Sequence, residues 1–542
     1  MKSFNSIELS VLWARLISIV DEAGTTLQRT SFSTVTRESA DFAVVLMDTR
    51  GRSIAQSSIS VPSFLGVLPF LMKALLRDYF PLEDWKPGDV VITNDPWLCA
   101  GHKPDIGIVT PVFGAQEGSH PIGFFGCIAH SPDIGGTLWG AGAKDYYGEG
   151  LHIAPTKLYN QGILNDTLLE IIRHNVRAAD QTIGDIHAQV AANDQGARSL
   201  HRLMKEHQLS EIDSLGNHII TATEKAMREA IRNAPDGIYH STYDADGDGL
   251  NEPVKFCCKV EIKEDEIMVD YSGTSPQHSL AINAVLNYVY AYTAYPIKCV
   301  FSPDIPNNEG SFLPIHVTAP EGSLLNAQKP APLGARNVTG NLLHAPILLA
   351  LSQAVPDKVQ ADCGAAVWVM VLNGKREDGQ EFVEYLFLSG GYGARPTRDG
   401  SSTLCFPTNV ANVPIEVFEN DCPVLVTQKS LANGSGGAGK FRGGLGQVFA
   451  YKNIGSHPIQ ISNVTEKLKH SAYGLFGGQP GSTGRLEIIM ANGEKRNTPA
   501  KGLDILNPGE ELRMTLPGGG GYGPITERDS LLKKIDTDLG YF

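Results

Sequence analysis

The sequence has no Cys-x-x-Cys pair. Its eight cysteines, Cys99, Cys127, Cys257, Cys258, Cys299, Cys363, Cys405 and Cys422, are scattered through 542 residues. This excludes zinc-ribbon and thioredoxin-like sites and predicts free, mostly buried thiols. Long apolar runs are also missing: none approaches the roughly 18 residues of a membrane span. Dense Lys/Arg clusters are absent, and the formal net charge is −14. A nucleic-acid binder needs a basic face, so neither nucleic acid nor membrane is an expected partner. The stretch Met1 to Glu8 lacks the apolar centre of a secretory signal, and the expected location is cytoplasmic. There is no fixed-period repeat, no Gly-x-Ser-x-Gly nucleophile elbow and no Rossmann fingerprint after a strand.

What is present is a globular composition, 42% hydrophobic and 19% charged. The length allows about two to four domains. Ile7, Val11, Leu12, Leu16, Ile19 and Val20 recur at helical spacing and predict a helix over 6–30. Residues 41–56 read as a hairpin turning at Asp48-Thr49-Arg50-Gly51, 66–79 as a second helix, and Asp89-Val90-Val91-Ile92 as a strand. A helical block covers about 165–232, with an expected break near Asp213-Ser214-Leu215-Gly216. From about 236 the pattern alternates with period two, interrupted by a helix near 339–354. The expected fold class is α+β and multidomain. Its expected parts are an α/β region over 1–164, a helical segment over 165–235, a strand-rich mixed region over 236–525 and a short helix with a loose tail over 526–542.

Chemistry concentrates in one stretch. Thr93-Asn94-Asp95-Pro96-Trp97 and Gly101-His102-Lys103-Pro104-Asp105 are followed by His130-Ser131-Pro132-Asp133-Ile134-Gly135-Gly136. Neutral imidazole and ionised carboxylate are ligands of catalytic divalent metals. His102 and Asp105 sit on one turn, two apparent strands bring His130 alongside, and Asp41 offers a further carboxylate. The bland reading is that the histidines are satisfied core residues and the aspartates cap turns. Gly434 to Lys440 fits the GxxxxGK pattern, but Phe441 replaces the Ser or Thr that would hold magnesium, and no helix former follows. A Gly-permitted tight turn between strands is the expected reading. Asp244-Ala245-Asp246-Gly247-Asp248-Gly249 resembles an EF-hand opening. Lys255 stands where a bidentate Glu belongs, so an Asp/Gly turn between strands is expected.

Several segments together resemble the hydantoinase B/oxoprolinase family. They are Arg37-Glu38-Ser39-Ala40-Asp41-Phe42, the three stretches around Asp95, His102 and His130, Asp270-Tyr271-Ser272-Gly273-Thr274-Ser275, Ile305-Pro306-Asn307-Asn308-Glu309-Gly310, Ser435 to Gly444, and Pro517 to Gly523. They occur in family order across nearly the whole chain. The resemblance implies a two-component machine. A hydantoinase A-like partner binds ATP with Mg and phosphorylates the substrate oxygen. The subunit resembling this chain completes the opening of a hydantoin, oxoproline-like compound or lactam. It also implies a divalent metal, Zn or Mn, on Asp41, His102, Asp105 and His130, with Asp133 or Asp95 as ligand orienter or general base. A hetero-oligomer is expected. Two other readings stay open: a subunit of a ketone carboxylase of the acetone or acetophenone type, which would consume bicarbonate, and a scaffold that binds no metal. One departure stands out. Many members carry His in a Pro-x-His-x-Gly stretch, and here Pro62-Ser63-Phe64-Leu65-Gly66 has Phe64 there. That leaves a more apolar substrate, or no effect, open. The Gly-rich loops are expected at inter-domain contacts or the partner interface.

Overall fold

The computed structural model describes residues 4–114, 120–248 and 253–541; Gly249 of the Asp/Gly turn lies outside them. Helix α1 (Ser6–Thr30) starts at a capping box, in which the Asn5 side chain accepts the Glu8 N–H and Glu8 reaches back to Asn5. Its apolar stripe, including Leu12, Leu16, Val20 and Leu27, is buried. The short α2 (Thr34–Arg37) leads into the expected hairpin, β1 (Phe42–Met47) and β2 (Ser53–Gln56). Helix α3 (Pro62–Ala74) begins with proline at its first turn, a position that needs no N–H, and continues as a π-turn over Leu75–Tyr79.

Strands β3 (Val90–Thr93), β4 (Asp105–Phe113), β5 (Pro121–His130), β6 (Thr156–Asn160) and β7 (Ile163–Leu164) complete an antiparallel seven-stranded sheet. Its order is β2-β1-β5-β4-β3-β6-β7. Three further helices follow, α4 (Asp166–Asn175), α5 (Ala179–Glu206) and α6 (Asp213–Arg232). Helices α1 and α5 share an apolar core with one face of the sheet, and α3 with the other. A strand covered on both faces needs apolar residues on both. That is why β1 reads as an unbroken apolar run and every residue in it is buried.

The helical block breaks over 207–212, directly before Asp213, which opens α6. Gly216 lies inside α6, where a Cβ would stand 2.8 Å from Ile54 Cδ1. The glycine serves close packing of the helix and does not interrupt it.

The second sheet, β11-β10-β9-β8, consists of β8 (Gly237–Ala245), β9 (Val254–Lys263), β10 (Glu266–Asp270) and β11 (Ile315–Thr318). It shares a core with α7 (Leu286–Phe301), α8 (Arg336–Leu342) and α9 (His344–Leu351). The last two helices replace the single one expected near 339–354. Asp246, in the EF-hand-like turn, is buried and accepts the N–H groups of Leu468, Lys469 and His470, so it serves as a structural cap.

Two further sheets share one core around Trp368, Phe418, Phe449 and Met514. The first, β13-β12-β16-β19, contains β12 (Trp368–Lys375), β13 (Glu381–Leu388), β16 (Ile459–Val464) and β19 (Lys501–Leu506). The second, β14-β15-β20-β17-β18, contains β14 (Val424–Leu431), β15 (Gln447–Asn453), β17 (Arg485–Ile489), β18 (Lys495–Asn497) and β20 (Glu511–Thr515). Helix α10 (Ile415–Asp421) lends Phe418 to this core.

The Gly-rich segments are interior, which corrects one expectation. Residues 432–446 form a long connection between β14 and β15, not a tight turn. Gly443 and Gly444 are buried against Gly391 and Gly519: Gly519 N–H donates to Gly444 O at 2.9 Å, and Gly437 N–H to Gly519 O at 2.8 Å. A Cβ on Gly391 would overlap the Gly444 carbonyl, and one on Gly443 the Gly519 carbonyl. Backbone can approach backbone this closely only without side chains. The segments therefore build the interior by packing on one another. Nor is the C-terminus loose. Asp536 of α11 (Ser530–Asp538) is buried and pairs with Arg442 and Arg528, which is itself bound to Asp399.

Candidate metal centre

Strand register builds the site. Asp105 opens β4 and His130 closes β5, and the antiparallel pairing sets them directly opposite each other. Phe42 of β1 pairs with Ala129, and the His130 N–H donates to the Asp41 carbonyl at 3.0 Å. The ends of three neighbouring strands thus converge. Ala40 turns the chain there with φ of 53°, a left-handed conformation uncommon for an L-residue. His102 lies on the turn before β4.

One ligand atom each from His102, Asp105 and His130 fall within 4.8 Å of one another, all three residues buried. His102 Nδ1 is 2.7 Å from the Gly334 carbonyl, and His130 Nδ1 is 2.9 Å from the Ser131 carbonyl. A carbonyl only accepts, so Nδ1 of His130 carries the hydrogen; at His102 the 2.7 Å carbonyl contact outweighs the Trp139 indole N–H 3.2 Å from the same Nδ1, which leaves each Nε2 a free lone pair. His102 Nε2 and Asp105 Oδ1 face each other at 2.9 Å, and neither has a hydrogen-bond partner. Two buried acceptors so close, beside a second imidazole, are a donor set able to hold a cation. The donor set, two imidazoles and a carboxylate, suits Zn or Mn.

Electrostatics keeps the ligands in binding form. Burial pushes both imidazoles below the ordinary histidine pKa, His130 to about 3. Burial also opposes ionisation of Asp105, but the Arg336 guanidinium on its other oxygen favours the charged form, and its pKa is held below the ordinary value. Arg336 is buried, bonds Asp105 Oδ2 and the Ala100 carbonyl, and lies over the Tyr288 ring. Burial, with the charge of Asp105, raises Asp41 to about 8. Asp41 stands outside the close trio but lines the same cavity of about 40 Å³, with Phe64, Trp139 and Tyr292. Trp139 and Tyr385 pack edge-on to His130 at ring separations of 5.7 and 5.0 Å.

The other two predicted residues are engaged elsewhere. Asp133 accepts the N–H groups of Gly135 and Arg177 and pairs with the Arg177 guanidinium at 2.6 Å. Asp95 accepts the Trp97 N–H at 2.9 Å and lies 3.8 Å from His152 and Lys329. Neither belongs to the trio or lines its cavity. Missing from the sequence reading were Arg336, Gly334 and Glu149. Glu149 Oε1 accepts the N–H groups of Leu333 and Gly334 and so fixes the carbonyl that holds His102. Burial raises its pKa to about 7. The one available signal was an arginine inside the apolar stretch 331–338.

A second buried His–Asp pair lies between α9 and the sheets. His344 Nε2 is 3.2 Å from Asp362 Oδ1, and Lys467 Nζ is 2.5 Å from Asp362 Oδ2. His344 Nδ1 lies 2.7 Å from the Asn341 carbonyl.

The sequence profile of the Hydantoinase B/oxoprolinase family matches residues 5–525. The chain belongs to this family. Caprolactamase subunit beta of Pseudomonas jessenii is 30% identical over 97% of this chain and 92% of its own length. An uncharacterized protein of Methanocaldococcus jannaschii is 33% identical over 97% and 92%. 5-Oxoprolinase of Saccharomyces cerevisiae is 29% identical over 95% of this chain, which spans 42% of that longer relative. The crystal structure of ATP-dependent caprolactamase from Pseudomonas jessenii superposes with a TM-score of 0.91 at 28% identity, covering 100% of this chain and 95% of the other. Nucleotide-free acetone carboxylase superposes at 0.88 over 98% and 78%; at 17% identity this shows a shared fold. The mixed, multi-sheet α+β architecture is therefore that of the family. Among the described residues no helix is long and apolar enough to cross a membrane.

Proposed function

We propose that this chain is the subunit of an ATP-dependent cyclic amide hydrolase that completes ring opening after a hydantoinase A-like partner has phosphorylated the amide oxygen. His102, Asp105 and His130, joined by Asp41, hold a divalent metal, Zn or Mn. The observation that carries this reading is the unpartnered His102 Nε2 facing Asp105 Oδ1 at 2.9 Å, in a family that includes a caprolactamase beta subunit.

An amide oxygen is a poor leaving group, and phosphorylation makes it a good one. When bound, the metal supplies a Lewis acid and lowers the pKa of a coordinated water. The protein's own groups set the conditions. Arg336 keeps Asp105 ionised, Gly334 and Ser131 fix the imidazole tautomers, and Trp139 and Tyr385 exclude water. Asp41 holds a proton at neutral pH without metal, so joining the ligand set releases it. Asp133 and Asp95 are positioning residues that fix the turns beside His130 and before His102. The GxxxxGK segment has no nucleotide role here: the Ser435 hydroxyl donates to Ala432 O and accepts the Gly446 N–H. ATP and Mg belong to the partner, and the working assembly is a hetero-oligomer.

A ketone carboxylase subunit is the second reading. Phe64 favours it, since it joins Val61, Val367, Phe387 and Val410 in the apolar wall of the metal cavity. The deciding experiment co-expresses the chain with its partner and measures substrate-dependent ADP release with and without bicarbonate. Hydantoins, lactams and ketones are compared. Ring-opened product without carbon incorporation supports the hydrolase. Label from bicarbonate entering a ketone product overturns it in favour of the carboxylase. An enzyme that binds no metal and survives His102→Ala and His130→Ala is a scaffold.

A further inference from the structure

The metal cavity, about 40 Å³, takes groups the size of water. It admits the reacting end of a substrate and not a whole ring. Among the described residues lining it, Arg336 is the one lysine or arginine. Arg336 is 3% exposed, and two of its three nitrogens are held. Nε donates to the Ala100 carbonyl and Nη2 to Asp105 Oδ2. The guanidinium carbon lies 4.0 Å from the centre of the Tyr288 ring. A Cβ on Gly101 would stand 2.7 Å from Arg336 Cδ, so the turn before β4 closes on this side chain because it carries glycine there.

The third nitrogen is different. Among the described residues Nη1 donates to no group of the protein. Yet, unlike the equally unpartnered Asp105 Oδ1 and His102 Nε2, it is not sealed from solvent. The little surface that Arg336 keeps therefore includes Nη1, and the cavity it lines is that of the metal. Nη1 carries two N–H donors. Arg528, just as buried, engages all three of its nitrogens with Asp399, Asp536 and the Lys440 carbonyl. A buried guanidinium with one nitrogen open into a reaction cavity holds donors ready for an incoming acceptor.

Charge decides which acceptor. The imidazoles of His102 and His130 are neutral. Asp41 and Asp105, when both are ionised, balance a divalent ion. The charge of Arg336 is then left over, and it favours an anion. Without the ion, Asp105 cancels Arg336 and no surplus remains.

We propose that Arg336 is a catalytic residue whose Nη1 binds an oxygen of the phosphoryl group on the activated substrate. This rests on the proposed function, in which the partner phosphorylates the substrate oxygen and a divalent ion sits on the ligand trio. Phosphoryl oxygens match the planar fork of arginine, whereas lysine offers a point charge. Arg336 thus has two parts: Nη2 keeps a metal ligand charged, and Nη1 holds the group that activates the substrate.

The first test loads the chain with Zn or Mn and titrates two probes, inorganic phosphate and imidazole, at matched metal content. Imidazole bonds a metal as a neutral ligand and has no use for the guanidinium. In Arg336→Lys, phosphate affinity is expected to fall about tenfold, with imidazole affinity nearly unchanged. Metal-free wild type is expected to bind phosphate far more weakly than the loaded chain. Absence of phosphate binding by the loaded wild type, or equal affinity in Arg336→Lys, overturns the assignment. So does an equal fall for both probes, which makes Arg336 a support of Asp105 alone. The second test needs no variant: crystals of the loaded wild type are soaked in phosphate. A phosphate oxygen within hydrogen-bond distance of Nη1 is expected, and phosphate seated away from Arg336 overturns the contact. A reconstituted complex that opens no cyclic amide, with Arg336-dependent phosphate binding retained, sinks the proposed function and leaves the phosphate contact.

Discussion

The molecule buries two His–Asp pairs of nearly the same geometry, and they do opposite things. His102 and Asp105 are 2.9 Å apart, His344 and Asp362 3.2 Å. In both, Nδ1 points at a backbone carbonyl. The difference lies in the surroundings. Around Asp105 stand a second imidazole and Asp41, and burial holds the histidines neutral. Burial likewise works against charge on His344, yet its hydrogen bonds to Asp362 and Cys363 outweigh it and raise its pKa to about 9. Asp362 has Lys467 as well. Each aspartate thus has a buried cation on its other oxygen, Arg336 on Asp105 and Lys467 on Asp362, and the pairs differ in the charge their imidazoles favour. Of the two contacts, the one whose imidazole stays neutral is the one that groups with a second imidazole into a trio able to hold a metal ion.

The comparison can be broken in four ways. The largest effect is expected from His102→Ala or His130→Ala: bound metal falls from about one equivalent to near none, and coupled turnover drops by at least about a hundredfold. Metal analysis and product assays read this, and a variant retaining both would end the distinction. Next, Lys467→Met leaves Asp362 with one partner fewer and is expected to cost about 3–5 kcal/mol in urea unfolding, with metal content unchanged.

The third prediction concerns pH. His344 has a folded pKa of about 9, above the ordinary 6.5. Its contribution, about 3 kcal/mol, is fully present below about pH 6.5 and is lost as pH rises through 9. His130 in metal-free protein has the opposite sign: with its pKa lowered to about 3, stability falls as pH drops below 6.5. Unfolding across pH 5–10 should show both slopes, and His344→Gln should flatten only the alkaline one. The smallest effect belongs to Glu149→Ala. Freed Leu333 and Gly334 amides loosen the carbonyl behind His102, and metal affinity is expected to fall about tenfold by competition with a chelator.

The sequence made the grouping of His102, Asp105 and His130 legible because they lie close together on the strand ends that pair. His102, Asp105 and His130 fall within one hairpin and its approach, and the β4–β5 register does the rest. Arg336 and Glu149 were not legible. Arg336 meets Asp105 across 231 residues, and Glu149 meets Leu333 across 184. Local spacing carries no record of such contacts. The break before α6 was legible, whereas the place of Gly216 inside that helix was not, because a glycine that admits Ile54 looks, in sequence, like one that stops a helix. The closing segment looked like a solvated tail because Arg528 and Asp536 are charged, and their mutual burial depends on Arg442 and Asp399. The Gly-rich segments showed turns by composition, whereas their fit against one another is a property of the packed sheets.

The carbonyl of Gly334 and the guanidinium of Arg336 reach the strand ends from far along the chain. During synthesis, which runs from the N-terminus, the seven-stranded sheet can pair long before residue 336 leaves the ribosome. At that stage His102 has no carbonyl to fix its tautomer and Asp105 no guanidinium to hold its charge. A cation arriving early would meet loose ligands and exchange freely. The trio's tautomer and charge are therefore set only once the second half of the chain docks.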